Sequence, residues 1–525
     1  LADFYPLRCQ CSAAAPFSHP HTPTPPHTPL HHGTLLAAID LGSNSFRLEI
    51  GRFEHGHIQR VEYLKETVRQ GNGLDEQHHL GAQAMQRGWD CLARFAERLA
   101  NFAPAQVRAV ATQTLREARN REDFLQRANQ ILGHPIEVIA GTEEARLIYQ
   151  GVARLLPQSG ERRLVIDIGG RSTELILGQQ FSAHNVASFE VGSVAWSSRY
   201  FADGLFTEQA FASAEIAAKA VLDEALDVYH RDTWEQAYGS SGTIGAVGEI
   251  LAAAGKPAGR ITRADLDWLL ERLLRAQSAS RVRLDGLKEE RRPVIGGGIS
   301  VLRAVFDLLG IDTLQVAQGA LRQGALYDLL DREQPETDLR SSTVQGLQQR
   351  FAVDAAQAQR VAHTACALFA QLAAPSDAPA QRQLAWAAQL HEVGCRISHS
   401  GYHHHGAYIL DHSDAAGFAI AEMQRLGQLV RGQRGKLRKV EAELLNHAST
   451  TLQLLCLRLA VALCHARRDP DLSGIRLMRQ GQHFLLASPV DWWARYPQSA
   501  HLLREEVAVW EKTPWALVLQ EAPAP

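Results

Sequence analysis

The sequence predicts an α/β protein: a duplicated two-domain core of sheets and helices, followed by an all-α domain. Three observations predict it. The segment L-L-A-A-I-D-L-G-S-N-S-F-R-L-E-I at residues 35–50 reads as an apolar strand ending in Asp40, a small polar turn at residues 42–45, and a second strand. The pattern returns at residues 164–178 as L-V-I-D-I-G-G-R-S-T-E-L-I-L-G, which sets Asp40 against Asp167, Gly42 against Gly169 and Ser45 against Ser172 at one offset of 127 residues. From Arg340 onward the apolar residues recur at helical spacing.

The elements follow in order. Residues 1–33 alternate Pro20, Pro23, Pro25, Pro26 and Pro29 with Thr and with His19, His21, His27, His31 and His32, a composition that builds no core, so a disordered extension is expected. It has neither a signal-peptide apolar region nor an initiating Met, and a mis-assigned start or a fragment is expected. The first core domain is set at residues 34–148 and the second at 149–332. The polar stretch D-R-E-Q-P-E-T-D at 331–338 reads as a linker, a helical domain is set at 333–480, and a small C-terminal segment at 481–525 carries Trp492, Trp493, Trp510 and Trp515 as core residues.

A chain of 525 residues holds three or four domains at ~150 residues each. Its 54 basic and 57 acidic side chains give a net charge of -3, which excludes a basic nucleic-acid coat; an anion must be bound locally. The apolar run at 454–464 is broken by Arg458 and falls short of the ~18 residues of a membrane span. Seven cysteines, odd in number and mostly inside apolar helical patterns, imply reduced thiols and a cytoplasmic location, with peripheral membrane association left open. Cys9 and Cys11 lack a second pair at zinc-ligand spacing.

Two such hairpins make chemical sense together if each opens one domain and the domains face each other across a cleft. Small turn residues let backbone N–H groups approach phosphate oxygens, and the carboxylate at each strand end can hold a divalent ion through water. Either hairpin alone would be an ordinary tight turn. The run A-Y-G-S-S-G-T-I-G-A-V-G-E-I-L at 237–251 adds a strand, a loop at Ser241, Gly242 and Thr243, and a helix whose N-terminus can receive an anion. A similar strand, loop and helix is expected at 294–309, with Gly296, Gly297 and Gly298 at its turn.

The set A-I-D-L-G-S-N-S-F, V-A-T-Q-T-L-R-E-A-R-N, G-T-E-E-A-R-L-I-Y, V-I-D-I-G-G-R-S-T-E-L and G-S-S-G-T-I resembles the exopolyphosphatase and guanosine pentaphosphate phosphohydrolase family. The resemblance runs from about Leu35 almost to the C-terminus and preserves motif order. It implies a duplicated actin-like (ribonuclease H-like) core, of the actin, sugar kinase and Hsp70 superfamily, with a C-terminal all-α HD-like domain. The implied reaction is Mg²⁺-dependent hydrolysis of a terminal phosphate, with a monovalent cation such as K⁺ as a further expectation.

By the same resemblance Glu144 is the catalytic base that deprotonates water for in-line attack, and Arg116 is directed at the cleft, with Arg69 a weaker candidate. Asp40, Asp167 and Glu174 would hold Mg²⁺. Gly42, Ser43, Asn44, Ser45, Gly169, Gly170, Arg171, Ser172, Thr173, Ser241, Gly242 and Thr243 would cradle phosphate oxygens. Read locally, Glu143 and Glu144 merely favour a helix dipole, and Arg116 forms a surface pair with Glu117.

Several residues depart from the family pattern. Arg171 stands where a third Gly is usual, so a turn needing positive φ would be strained there, or an extra phosphate ligand is gained. Arg47 stands where His is common, Ser193 where Cys is, Gly296 where a Pro-containing turn recurs, and Gln323 where the motif has Glu. In the helical domain W-A-A-Q-L-H-E-V-G and H-S-G-Y-H-H-H-G-A-Y-I-L resemble an HD-like domain whose His-Asp pair is here His391 and Glu392; His363, His399, His403, His404, His405 and His412 are further candidate ligands, but the favoured role is a channel wall or homodimer interface. The run at 431–439 concentrates five cations that a polyanion could meet or that simply form a solvated loop.

The reading favoured at this level is an exopolyphosphatase releasing orthophosphate from inorganic polyphosphate, with guanosine pentaphosphate as the alternative substrate. A sugar kinase and a non-catalytic polyphosphate sensor are more distant alternatives. No nucleic-acid partner is expected.

Overall fold

The computed structural model of the chain describes residues 32–333, 337–372, 374, 377–440 and 447–522. Most of the Pro/His-rich extension, with Cys9 and Cys11, lies outside the described residues. β1 (Leu35–Leu41), β2 (Phe46–Glu54) and β3 (His57–Glu66) form an antiparallel meander, and β4 (Val107–Ala111) and β5 (Ile136–Val138) continue in parallel beyond β1. The order is β3-β2-β1-β4-β5.

The second sheet contains β6 (Arg162–Ile168), β7 (Thr173–Gln179), β8 (Ser182–Phe189), β9 (Gln236–Ser240), β10 (Arg260–Thr262) and β11 (Thr313–Val316), in the order β10-β11-β9-β6-β7-β8. Read from its meander end, β8-β7-β6-β9-β11 repeats the first sheet, and β10 is an antiparallel addition at the edge. The sequence repeat is therefore a repeat of topology. It extends to register, because Asp40 lies opposite Arg47 and Asp167 opposite Glu174.

β1 is apolar on both faces because both faces are covered. Ala37, Ile39 and Leu41 pack in a core with residues of helices Ala82–Leu99 and Arg121–Leu132, while Leu36 and Ala38 meet Ala325, Leu326 and Leu329 of helix Leu321–Glu333. That last helix comes from the second half of the chain, so the two halves close each other. Helix Gly141–Ala153 lies between them, its Ala145, Leu147, Ile148 and Val152 packed with Val110 of β4 and with Val165 and Ile176 of the second sheet. A division between residues 148 and 149 falls inside this helix.

Residues 294–309 differ from the expected strand, loop and helix. Gly296, Gly297 and Gly298 are buried inside helix Ile295–Leu309, with no strand before it. They serve helix packing: a Cβ on Gly297 would come within 2.5 Å of the Ser197 nitrogen in helix Ser193–Tyr200.

The expected linker is partly helical, since Asp331 to Glu333 end helix Leu321–Glu333 and Asp338 caps helix Leu339–Arg350 by accepting from the Arg340 N–H. Helices Ala355–Phe369, Ala378–Gln389, Tyr402–Asp411, Ile420–Gly432 and Ala448–Leu463 follow. A three-stranded sheet of β12 (Arg476–Gln480), β13 (His483–Pro489) and β14 (Ala516–Ala522) then joins the same apolar core through Phe484, Trp510 and Trp515. A division at 480 and 481 would split the β12–β13 hairpin. Among the described residues no helix is long and apolar enough to cross a membrane, and Cys91, Cys366, Cys395, Cys456 and Cys464 are free thiols.

Candidate active site

The two hairpin turns meet. They enclose a narrow cavity of about 80 Å³ lined by Gly42, Ser43, Asn44 and Ser45 from one turn and Gly169, Gly170 and Ser172 from the other. Asp40 and Asp167, each one residue before the end of β1 and β6, also line it, together with Glu144 from the first turn of helix Gly141–Ala153 and Ser241 and Gly242 at the start of helix Ser241–Ala253. Ser241 is held in the left-handed region (φ 74°), a conformation costing ~1 kcal/mol for a residue with a Cβ. Its Oγ donates to the Ile168 carbonyl, which anchors this helix start to the end of β6.

The carboxylates are crowded and buried. Burial pushes Glu144 up to about 7; Arg116 opposes the shift, and the charges of Asp40 and Asp167 reinforce it. Burial likewise raises Asp167 to about 6, opposed by the nearby Ser240 hydroxyl and the Arg47 charge. Asp40 pairs with Arg47 at 3.0 Å, and Arg322 stands 3.6 Å from the same oxygen. Arg116 is not paired with Glu117: its Nη1 and Nη2 donate to Glu144 Oε2 at 3.3 and 3.2 Å, and Nη1 also donates to the Ile139 carbonyl at 2.6 Å.

Other expected ligands lie behind the cavity. Thr173 is buried and its Oγ1 donates to the Val191 carbonyl at 2.5 Å, and Thr243 is buried in its helix against Gly298. Arg171 has no positive φ, so its turn is unstrained; its Nη2 donates to Glu117 at 2.7 Å and its Nη1 to the Gly71 carbonyl at 3.5 Å, and it does not line the cavity. Arg69 is exposed.

Glu174 is buried beside Glu144 and Asp167. Burial and those two charges hold it well above the usual carboxylate range, and it accepts from Ser188 Oγ at 2.8 Å while its Oε2 lacks a hydrogen-bond partner. Among the described residues no three His, Cys, Asp or Glu side chains gather closely enough to hold a metal, so Asp40, Asp167 and Glu174 do not form a three-carboxylate cage. The arrangement still fits Mg²⁺, which uses one or two carboxylates and takes its other ligands from water and phosphate. Mutual repulsion among Asp167, Glu144 and Glu174 is the field a cation would relieve.

Sequence reasoning undervalued the cationic side of the site. A second cavity of about 390 Å³ adjoins the first, sharing Arg47, Ser241, Gly242, Arg291 and Ala320, and adds Lys65, Lys288, Arg322 and the ring of Tyr63. Burial and the neighbouring Arg47 lower the Arg291 guanidinium, a crowding of cations that an anion would relieve. These side chains come from β2, β3, residues 288–291 and helix Leu321–Glu333, so no local motif joins them. Gln323 donates to both carboxylate oxygens of Glu49 at 2.7 and 2.6 Å, an arrangement that a Glu at 323 would replace with repulsion.

The helical domain holds no comparable centre. His391 is buried with Nδ1 at 2.7 Å from the Ala388 carbonyl, and Glu392 is taken up by Arg467 at 2.7 Å. Among the described residues its histidines do not assemble a metal group. The run at 431–439 leaves Arg431, Arg434, Lys436 and Arg438 exposed.

Two repeated sheets of ribonuclease H-like order, closed on a cleft of hairpin turns and buried carboxylates, define an actin-like protein with a helical extension. The chain belongs to the Ppx/GppA phosphatase family, whose model matches residues 50–333, and the model of Ppx/GppA phosphatase domain III matches residues 339–507. It is thus a phosphoanhydride hydrolase. A "Guanosine-5'-triphosphate,3'-diphosphate pyrophosphatase" of Vibrio vulnificus is 40% identical over 491 residues, 93% of this chain and 98% of that one. One so named in Vibrio atlanticus is 41% identical over 477 residues, 90% of this chain and 95% of its own. Among solved structures, an exopolyphosphatase from Cytophaga hutchinsonii superposes with a TM-score of 0.52 at 25% identity, covering 57% of this chain and 98% of that chain.

Proposed function

We propose that the protein removes the terminal 5′ phosphate of guanosine pentaphosphate, releasing orthophosphate. The observation that carries this reading is 40% identity across 93% of this chain to a relative named for that nucleotide. The exopolyphosphatase reading favoured by the motifs becomes the second one: an enzyme so named shares the core fold, but at 25% identity and over 57% of the chain. Two adjoining cavities support the reading. A narrow cavity would take the terminal phosphoryl group, and the adjoining basic one, with Lys65, Arg291 and Arg322 around Tyr63, would take a second phosphate cluster.

Catalysis in such a site is positioning and charge stabilisation. Glu144, near 7, is poised to accept a proton from water at neutral pH, and Arg116 fixes the carboxylate that does so. The hairpin turns with Ser45 and Ser172 would orient the phosphoryl oxygens, while Arg47 and Arg291 would offset their charge. Asp167 and Asp40 are the residues that would hold Mg²⁺, which when bound neutralises phosphate charge.

The test is orthophosphate release in Mg²⁺ by the protein and its Glu144→Ala variant, with guanosine pentaphosphate and long-chain polyphosphate side by side. Much higher kcat/KM on the nucleotide, lost in the variant, is the expected result. Preference for polyphosphate would establish the second reading instead.

A further inference from the structure

The helical domain touches the catalytic helix at its first turn. Glu143, next to Glu144, has a side chain 1% exposed, and its Oε2 accepts the backbone N–H of Gly417 from the helical domain at 2.9 Å. The same carboxylate accepts from Arg146 Nε and Nη2 at 2.7 and 2.8 Å and from Arg108 at 3.3 Å. One residue earlier, Thr142 Oγ1 donates to Asp414 at 3.1 Å. The turn is held from its far side as well, since the Gly417 carbonyl accepts from Arg332 at 2.8 Å and the Ala416 carbonyl from Thr343 Oγ1 at 2.7 Å.

Gly417 has φ 88°, and a Cβ there would come 2.9 Å from Arg340 Cγ, so glycine is what allows the turn to present its N–H to Glu143. The contact is not a loose surface pair. A buried carboxylate holding two guanidinium groups and a backbone N–H is fixed in direction, and a helix start pinned at Glu143 also fixes Glu144, one residue on.

We propose that the turn at residues 414–417 of the helical domain positions the catalytic base, with Glu143 as the positioning residue through which it acts. The proposal rests on the reading of Glu144 as the base. It gives the helical domain a part in the chemical step although, among the described residues, that domain contributes no side chain to the narrow cavity. Displacement of the turn would let the first helical turn relax relative to Asp40, Asp167, Glu174 and Arg116, the charged groups that face Glu144.

The experiment compares Glu143→Gln, Gly417→Ala and Glu144→Gln in the full chain by kcat, KM, pH profile and thermal midpoint, with guanosine pentaphosphate in Mg²⁺. The first two are expected to lose roughly tenfold in kcat with KM changed less than about twofold, and to shift the acid limb of the profile, because a misplacement well under an ångström costs rate without costing binding. If both keep wild-type kcat and acid limb while Glu144→Gln is inactive, the proposal falls and the base assignment survives. If Glu144→Gln is active, the base assignment itself falls. Should Glu143→Gln not fold, Gly417→Ala decides alone: a wild-type kcat and profile in that variant overturns the proposal.

Discussion

Arg47 and Glu174 occupy the same register position of the duplicated hairpin, each opposite the aspartate one residue before the end of the hairpin's first strand, and one is a guanidinium where the other is a carboxyl. Arg47 pairs with Asp40 at 3.0 Å, whereas Glu174 is buried beside Asp167 and Glu144, and burial with those two charges holds its carboxyl well above the usual range. The two halves of the duplicated cleft therefore differ in their electrostatics. One side favours an anion and the other a proton or a cation.

Arg47 lines both cavities, so its loss should weaken substrate capture more than chemistry. Arg47→Ala is expected to raise KM about tenfold, the worth of one charge-assisted contact, with a smaller fall in kcat. Steady-state kinetics would show it. A variant with unchanged KM would place the substrate phosphates elsewhere.

The rate should depend on pH through Glu144. Only the ionised carboxylate accepts a proton, and burial raises it to about 7 in the metal-free protein, so kcat/KM should rise with pH and level by about pH 8, with Mg²⁺ beside Asp40 and Asp167 displacing the limb to lower pH. In the Glu144→Ala variant the residual rate should lose that limb.

The same shift has a consequence of opposite sense for stability. A carboxyl whose folded pKa is raised favours folding below its unfolded value, and that contribution is lost as pH rises through the folded one. For Glu144 the window lies between about 4.5 and 7. Glu144→Gln should therefore gain roughly 2–3 kcal/mol over wild type at pH 8 and almost nothing at pH 4, read as thermal midpoints in Mg²⁺-free buffer. Equal midpoints at pH 8 would mean the crowding is relieved in the folded protein.

The repeat at residues 40 and 167 was legible because each hairpin is local: strand, small turn and carboxylate fall within a dozen residues. Glu144 was singled out only through the resemblance, since its burial beside Asp40 and Asp167 depends on distant strands. The basic cavity was less legible, because Lys65, Arg291 and Arg322 meet only after folding. Arg171 shows the converse. Its sequence neighbours place it on a phosphate loop, yet Glu117 on the other half of the core captures its guanidinium. The strand expected before Gly296 failed for a packing reason, as those glycines let two helices approach closely.

Asp328 is where the structure should prove least tolerant. It sits on helix Leu321–Glu333, 3% exposed, and receives Arg108, Arg146 and Arg332, three guanidinium groups drawn from β4, helix Gly141–Ala153 and its own helix. Despite burial, those cations hold its carboxyl well below the usual range. A depressed carboxylate contributes stability above its unfolded pKa and loses it as pH falls, the reverse of Glu144. Asp328→Asn keeps the shape but leaves buried guanidinium charge short of its partner, which costs about 3–5 kcal/mol when a buried pair is broken. The variant should melt well below wild type at pH 8, and the gap should narrow on acidification below about pH 4. A midpoint unchanged at pH 8 would show that Glu137 and Glu143, which also pair with Arg108, suffice to hold the network.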